Sequence, residues 1–305
     1  MSGEDELKID LTEIFQYLHT RKLLILFITL IFSIISVAFS LSLPNKYTSI
    51  ALLNVNDQES QSSSMLDQYS GLASMAGISI PASSSDSKAF RAISIMKSKD
   101  FLKGLIDYDS KILASIMAAD TYDRDTQTLL FDRDSYIAEE KKWIREAPRP
   151  YSVIPTYIEA HEHYLGLIET EIDQQTNYIT VSITHISPYF AHDLLQLIIS
   201  RTNEIAKMED LIDAENALNY LADEDNKSSI LSLKKSINNL RESQMKIKMV
   251  ANISDDYLLR IVDSPYVPLK KSSPSRAIIC IIGFFLGIFT SVSFLIFSFF
   301  YKKQS

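Results

Sequence analysis

Two stretches without a single charged residue, one near each end, constrain this chain more than anything else in it. Residues 23–43 supply 21 such positions and residues 277–300 another 24. A helix rises about 1.5 Å per residue, so either stretch can cross the roughly 30 Å hydrocarbon core of a bilayer. Helices of that length in soluble proteins almost always carry a polar, charged stripe, and these stretches carry no charge. The first is preceded by 22 residues holding five acids, and its apolar part is longer than that of a signal peptide. It is expected to be retained as an anchor.

Flanking cations give the orientation. Arg21 and Lys22 precede the first stretch, and Lys302 and Lys303 follow the second. The positive-inside rule then places both termini in the cytoplasm. Lys270, Lys271 and Arg276 lie on the far side, but long loops translocate largely regardless of charge. The expected organisation is a cytoplasmic amphipathic segment at 1–22, a transmembrane helix at 23–43, an extracytoplasmic domain at 44–276, a second transmembrane helix at 277–300 and a tail at 301–305. A sensor's cytoplasmic output domain is not expected within 22 residues at one end and five at the other.

Composition removes further classes. The chain has 305 residues, 30 Lys and Arg against 38 Asp and Glu, and a pI near 5.2, so a nucleic-acid partner is not expected. One cysteine excludes a disulfide framework and any multi-cysteine metal centre. It is Cys280, inside the second apolar stretch.

Between the spans the chain alternates between strand and helix patterns. Asp10 and Glu13 have capping-box spacing ahead of Leu11, Ile14, Phe15 and Leu18, one apolar face of a short helix. Residues 47–55 are rich in β-formers. Residues 60–64 and 83–87 are Ser-rich, and the motif Gly71-Leu-Ala-Ser-Met-Ala-Gly77 lacks the Gly-Lys-Ser/Thr of a phosphate loop. One helix is expected over 88–106. Residues 107–165 give no clear pattern. Residues 165–173 and 178–185 read as a β-hairpin, and 258–263 as a last short strand. Four strands among helices predict an α+β domain with a small mixed-sheet base.

A long helix is expected from Pro188 to about residue 222, with Ile198, Ile205 and Ile212 seven apart. After a polar break at Asp223-Glu-Asp-Asn226, Ile230, Leu233, Ile237, Leu240, Gln244, Ile247 and Ala251 follow at gaps of 3 and 4. That is the a/d seam of a coiled coil, interrupted only by Gln244. Together residues 188–251 predict a long helical hairpin. Its arms are oppositely charged: residues 203–225 hold eight acids and one lysine, residues 227–248 six cations and one glutamate. Pairing those arms, within one subunit or between neighbours, predicts a homo-oligomeric helical assembly.

Signals for catalysis are absent. His161 and His163 are the only histidine cluster, and their i, i+2 spacing does not share a helix face as metal ligands must. No Walker, Gly-x-Ser-x-Gly or His-Glu-x-x-His motif occurs. Tyr151, Tyr157 and Tyr164 could stack on sugar rings, but tyrosines so scattered are more often core residues. No enzyme, cofactor or metal is expected. Two structural motifs remain. Gly283-Phe-Phe-Leu-Gly287, extended by Ser291, is a small-residue stripe that lets membrane helices approach closely, and Ser36 and Ser40 repeat the spacing in the first span. Before the second span, Pro265, Pro268 and Pro274 enforce an extended lead-in.

The order of these features resembles a known family. Ile9-Asp-Leu-Thr-Glu-Ile leads into the first span, then come Tyr47-Thr-Ser-Ile-Ala-Leu-Leu-Asn-Val and Gly71-Leu-Ala-Ser-Met-Ala-Gly77. Ile179-Thr-Val-Ser-Ile-Thr, Gln244-Met-Lys-Ile-Lys-Met-Val-Ala-Asn and Ile261-Val-Asp-Ser-Pro-Tyr-Val-Pro precede the final span. Together they resemble the Wzz family of polysaccharide co-polymerases, the chain-length determinants of lipopolysaccharide O-antigen. The resemblance implies a bacterial inner-membrane protein with a periplasmic α/β base and a protruding helix, assembled into bell-shaped oligomers. It implies a non-enzymatic scaffold with no catalytic residue, which sets the number of repeats added by the O-antigen polymerase to lipid-linked polysaccharide. The proline-rich segment is a hallmark of the family. The alternative it leaves open is a partner in capsule or exopolysaccharide assembly and export, with any tyrosine kinase supplied by a separate protein. A two-span sensor or adaptor is a third reading.

Overall fold

The computed structural model describes residues 11–56, 84–173, 175–227 and 231–304. It divides into two compact units, Met1–Asn45 with Lys271–Ser305, and Lys46–Lys270. The Gly71 motif and the 60–64 run lie outside the described residues, as do Asp10 and the side chain of Glu13.

The first unit contains α1 (Leu11–Thr20), α2 (Lys22–Ser42) and α9 (Arg276–Gln304). Neither long helix carries a charged residue across its apolar stretch, and both leave most of their large side chains uncovered, as in helices solvated by lipid. Arg21 separates α1 from α2 with non-helical backbone. The short helix is nevertheless tied to α9, because the Tyr17 and Phe299 rings stand 5.3 Å apart.

The second unit is built on a four-stranded sheet of β1 (Tyr47–Val55), β6 (Ile168–Ile172), β7 (Tyr178–His185) and β8 (Leu259–Asp263), in the order β6-β7-β1-β8. All three pairings are antiparallel, so the α+β base is present but the expected mixed sheet is corrected. The β6–β7 hairpin closes through a short turn, and the sheet contains no parallel pair that would need a crossover. Alternation on β1 turns Ala51, Leu53 and Val55 inward. They meet Ile179, Val181 and Ile183 of β7 and the start of α7 (Pro188–Lys227), where Leu194, Leu195, Ile198 and Ile199 are buried.

Around this core pack α3 (Ser84–Met96), α4 (Lys99–Tyr108), α5 (Lys111–Met117) and α6 (Tyr157–Leu167). The single helix expected over 88–106 is therefore two. Ser98 breaks it by accepting a hydrogen bond from the Phe101 N–H, an N-cap that starts α4 afresh. Likewise residues 165–167 finish α6 instead of opening a strand, because Thr156 caps a helix that runs into β6. The unreadable region contains α5 and two small hairpins, β2 (Ala119–Asp123) with β3 (Thr128–Phe131) and β4 (Tyr136–Ile137) with β5 (Lys142–Trp143).

From its buried start, α7 runs unbroken for 40 residues in all, about 60 Å. No break occurs at Asp223–Asn226, which is helical throughout. An acidic run stays helical when it is solvated and faces cations, and Asp225 lies 3.9 Å from Arg241 of α8 (Leu231–Ile253). Glu215 lies 3.7 Å from Lys248. The lower-numbered acid meets the higher-numbered cation, so the two arms run antiparallel within one subunit.

Candidate functional site

Three groups of residues singled out in the sequence occupy defined places, the first being the membrane pair. Gly283 faces Ser36 of α2 so closely that a Cβ there would collide with the Ser36 side chain. Four residues on, a Cβ at Gly287 would stand 2.9 Å from Phe32 Cβ and 3.1 Å from Thr29 Cα. Ser36 Oγ donates to the Ile279 carbonyl at 2.8 Å, an interhelical bond that close approach permits. Ser291, one step further, is fully buried and donates to Ile288 O of its own helix. Thr29 and Ser40 are buried on α2. The glycine stripe is thus used between the two helices of one chain.

The proline-rich segment is non-helical from Ser264 to Ser275. In the second unit Pro268 is buried and Pro265 half-buried, and Ser49 Oγ of β1 donates to the Tyr266 carbonyl at 2.8 Å. Pro274 belongs to the first unit, just ahead of Arg276, whose guanidinium donates to Asn45 Oδ1.

The helical seam divides. Ile237 and Ala251 are buried beside α7, which offers Ala214 and Leu221. Gln244 and Ile247 are half-buried. Leu233 and Leu240 are exposed, at 41 % and 54 %, so the subunit uses only part of its own seam. Met245, Met249 and Ile253 form a second exposed apolar row on α8. Ile230 lies outside the described residues.

Polar side chains in the second unit mostly fasten elements. His185 is buried at the end of β7, where its Nδ1 accepts from the Ser187 N–H at 3.1 Å. That fixes the tautomer, so Nε2 donates to Ser115 O of α5 at 2.9 Å. Burial pushes this imidazole down to about 4 from its usual 6.5. In the sequence it was only the last residue of a strand; its role depends on a carbonyl 70 residues away. His161 Nε2 and Tyr164 Oη donate to the carbonyls of Lys97 and Met96, both at 2.8 Å, and bind α6 to the α3–α4 junction. His163 is exposed on another side of that helix. Tyr164 is core and Tyr151 is exposed, while Lys103 Nζ stands 5.7 Å over the Tyr157 ring. Arg145 holds Glu159 in a two-pronged ion pair that depresses the carboxylate's pKa, chiefly by hydrogen bonding. Among the described residues no group of three or more His, Cys, Asp or Glu is placed to hold a metal ion.

At the root of the hairpin Arg91 of α3 is gripped by Asp210 and Glu209 of α7, and Tyr257 Oη donates to Asp210 at 2.7 Å. Arg91, Asp210 and Tyr257 border a cavity of about 220 Å³ that Gln244 also lines. A more apolar groove of about 550 Å³ runs between α4 and α7, where the Arg201 guanidinium stands 4.1 Å from the Tyr108 ring centroid.

Fold and surfaces together define an α+β protein with two helices of membrane-spanning length, an antiparallel sheet and a long helical hairpin. Residues 7–108 match the family model described as Wzz, chain length determinant protein, so the resemblance to the Wzz family read from the sequence is borne out there. Among solved structures, the chain is similar to a full-length bacterial polysaccharide co-polymerase at 13 % identity and a TM-score of 0.41, covering 96 % of this chain and 99 % of that one. It is also similar to a fragment of WzzB, a polysaccharide co-polymerase from Salmonella Typhimurium, at 13 % identity and a TM-score of 0.30, covering 75 % of this chain and 100 % of that one. No curated protein sequence matches the chain.

Proposed function

We propose that this protein is a non-enzymatic, homo-oligomeric scaffold of the bacterial inner membrane that regulates the chain length of lipopolysaccharide O-antigen made by the polymerase. The observation that carries this reading is the match of residues 7–108 to the chain length determinant family, on a chain that also ends in a second membrane-length helix. Both termini are cytoplasmic and the Lys46–Lys270 unit is periplasmic, as the flanking cations favour. Self-association is supported by Leu233, Leu240, Met245 and Met249, which remain exposed on one helix. The glycine stripe joins the two helices of membrane-spanning length. Deleting the gene should replace a clustered O-antigen ladder by an unregulated distribution of lengths, and restoring it should return the cluster. An unchanged ladder, with capsule or exopolysaccharide altered instead, would reassign the pathway; no change in any surface polysaccharide would overturn the function.

A further inference from the structure

Gln244 interrupts an otherwise apolar seam, and the interruption has a place to go. Instead of packing between the two arms, it borders the 220 Å³ cavity at the hairpin root, formed where α3, α7, α8 and the ends of β1 and β8's lead-in meet. The cavity's charged lining is Lys88 and Arg91 against Asp210 and Asp213, two cations facing two carboxylates. Arg91 is held in a fixed orientation by two carboxylates, 2.9 Å from Glu209 and 2.8 Å from Asp210, and its charge is compensated before any ligand arrives. That disfavours a phosphate or another anion. Among the described residues no group of three or more carboxylates is placed here to hold a cation either. What remains is a neutral ligand with several donors and acceptors. The amides of Asn56 and Gln244 and the carboxylate of Asp213 offer both, while Ile247 and Val250 supply an apolar wall. A pyranose has that pattern, with hydroxyls around its rim and C–H groups on its faces.

We propose that this cavity binds one neutral sugar residue of the polysaccharide whose length the protein sets, a site that rests on the function proposed above. Bound there, the sugar bridges both arms of the hairpin and α3, so occupancy is felt by the element that carries the exposed apolar seam. Gln244 is kept polar for the ligand at the expense of the seam.

The test uses the full-length protein in detergent micelles and, as probe, neutral oligosaccharide repeats released from the host's own surface polysaccharide by mild acid. Saturation-transfer NMR should give a saturable signal with the wild type. Gln244→Leu should weaken binding at least tenfold while leaving the thermal midpoint unchanged or raised, since leucine restores the seam. Asp213→Ala, at an exposed position, should weaken binding at least tenfold with the fold intact. Absence of a saturable signal from the wild type, or binding within twofold of wild type in both variants, overturns the site. A deletion strain with an altered ladder but no binding leaves the function standing and removes only the site. Binding without any effect of deletion on the ladder does the reverse.

Discussion

Gly283 and Gly287 act through the atom they lack. Each faces a side chain or backbone of α2 at a distance no Cβ tolerates, whereas Gly104 of α4 and Gly166 of α6 have nothing within 4 Å of that position. Gly283→Leu should therefore destabilise the helix pair by about 1–3 kcal/mol, and Gly283→Ala by less. Gly166→Ala should be neutral or add about 0.5–1 kcal/mol, because an exposed helical glycine costs backbone entropy. The SDS concentration that unfolds the full-length protein in mixed micelles measures both, and equal midpoints for Gly283→Leu and Gly166→Ala would refute the assignment. The spacing of this stripe was legible, since membrane helices obey a simple steric rule. His185 was not, because no local pattern announces a carbonyl partner from another element. Its imidazole must stay neutral in the fold, with a pKa lowered to about 4 against 6.5 when exposed. The unfolded chain thus binds more protons between those values, and stability is complete above pH 6.5 and falls as pH drops towards 4. The loss amounts to about 3 kcal/mol across the window. Melting curves from pH 7.5 to 4.5 should show that slope, and His185→Gln should flatten it.

At the scale of elements, the hairpin separates what a heptad pattern can and cannot tell. The 3,4 spacing identified α8, but spacing alone does not say which seam residues meet α7 and which wait for another surface. The structure buries Ile237 and leaves Leu240 exposed, three residues along the same stripe. Ile237→Ala should cost about 2–4 kcal/mol in subunit stability, whereas Leu240→Ala should stay within about 0.5 kcal/mol. Leu240→Glu should instead lower the oligomer size seen by native mass spectrometry, and an unchanged size would free Leu240 from any role in assembly. The ion pairs Arg241–Asp225 and Lys248–Glu215 are solvated and add only about 0.2–1 kcal/mol each. Their contribution is to register: the opposed charge runs seen in the sequence are aligned antiparallel. Asp223–Asn226 looked like a break because acids cluster there, yet acids are tolerable in a solvated helix and only Gly or Pro would have stopped it. The short strands β2 to β5, two to five residues each, had no period to read. β2 and β3 are set by a turn in which Asp123 Oδ1 accepts from the Asp125 N–H and Gln127 adopts φ 55°, a matter of local hydrogen bonding. Ser98 split a helix by the same kind of local bond.

The whole molecule follows the partition that its charges announce. All of the net −8 resides between the spans, where 25 cations meet 33 acids, while the ends carry −2 and +2. The two compact units divide at Asn45/Lys46 and Lys270/Lys271, within a few residues of where the charge-free stretches begin and end. The long charge-free runs were legible at this scale because lipid and water impose opposite rules on a helix; the place of β1 beside β7 was not, because that pairing is decided by contacts more than 100 residues apart, as between Ile50 and Ser182. The partition also supplies a clean test of orientation, since the single cysteine, Cys280, is half-buried inside the second span. In cells with a permeabilised outer membrane, a membrane-impermeant maleimide should leave the wild type unlabelled. Asp125→Cys introduces a thiol in the exposed β2–β3 turn, where Asp123 accepts from the backbone N–H of residue 125, a bond the substitution keeps. That variant should be labelled from outside without lysis of the inner membrane. Labelling that requires lysis would put the sheet and hairpin on the cytoplasmic side, away from any growing surface polysaccharide, and the proposed function would fall with the topology.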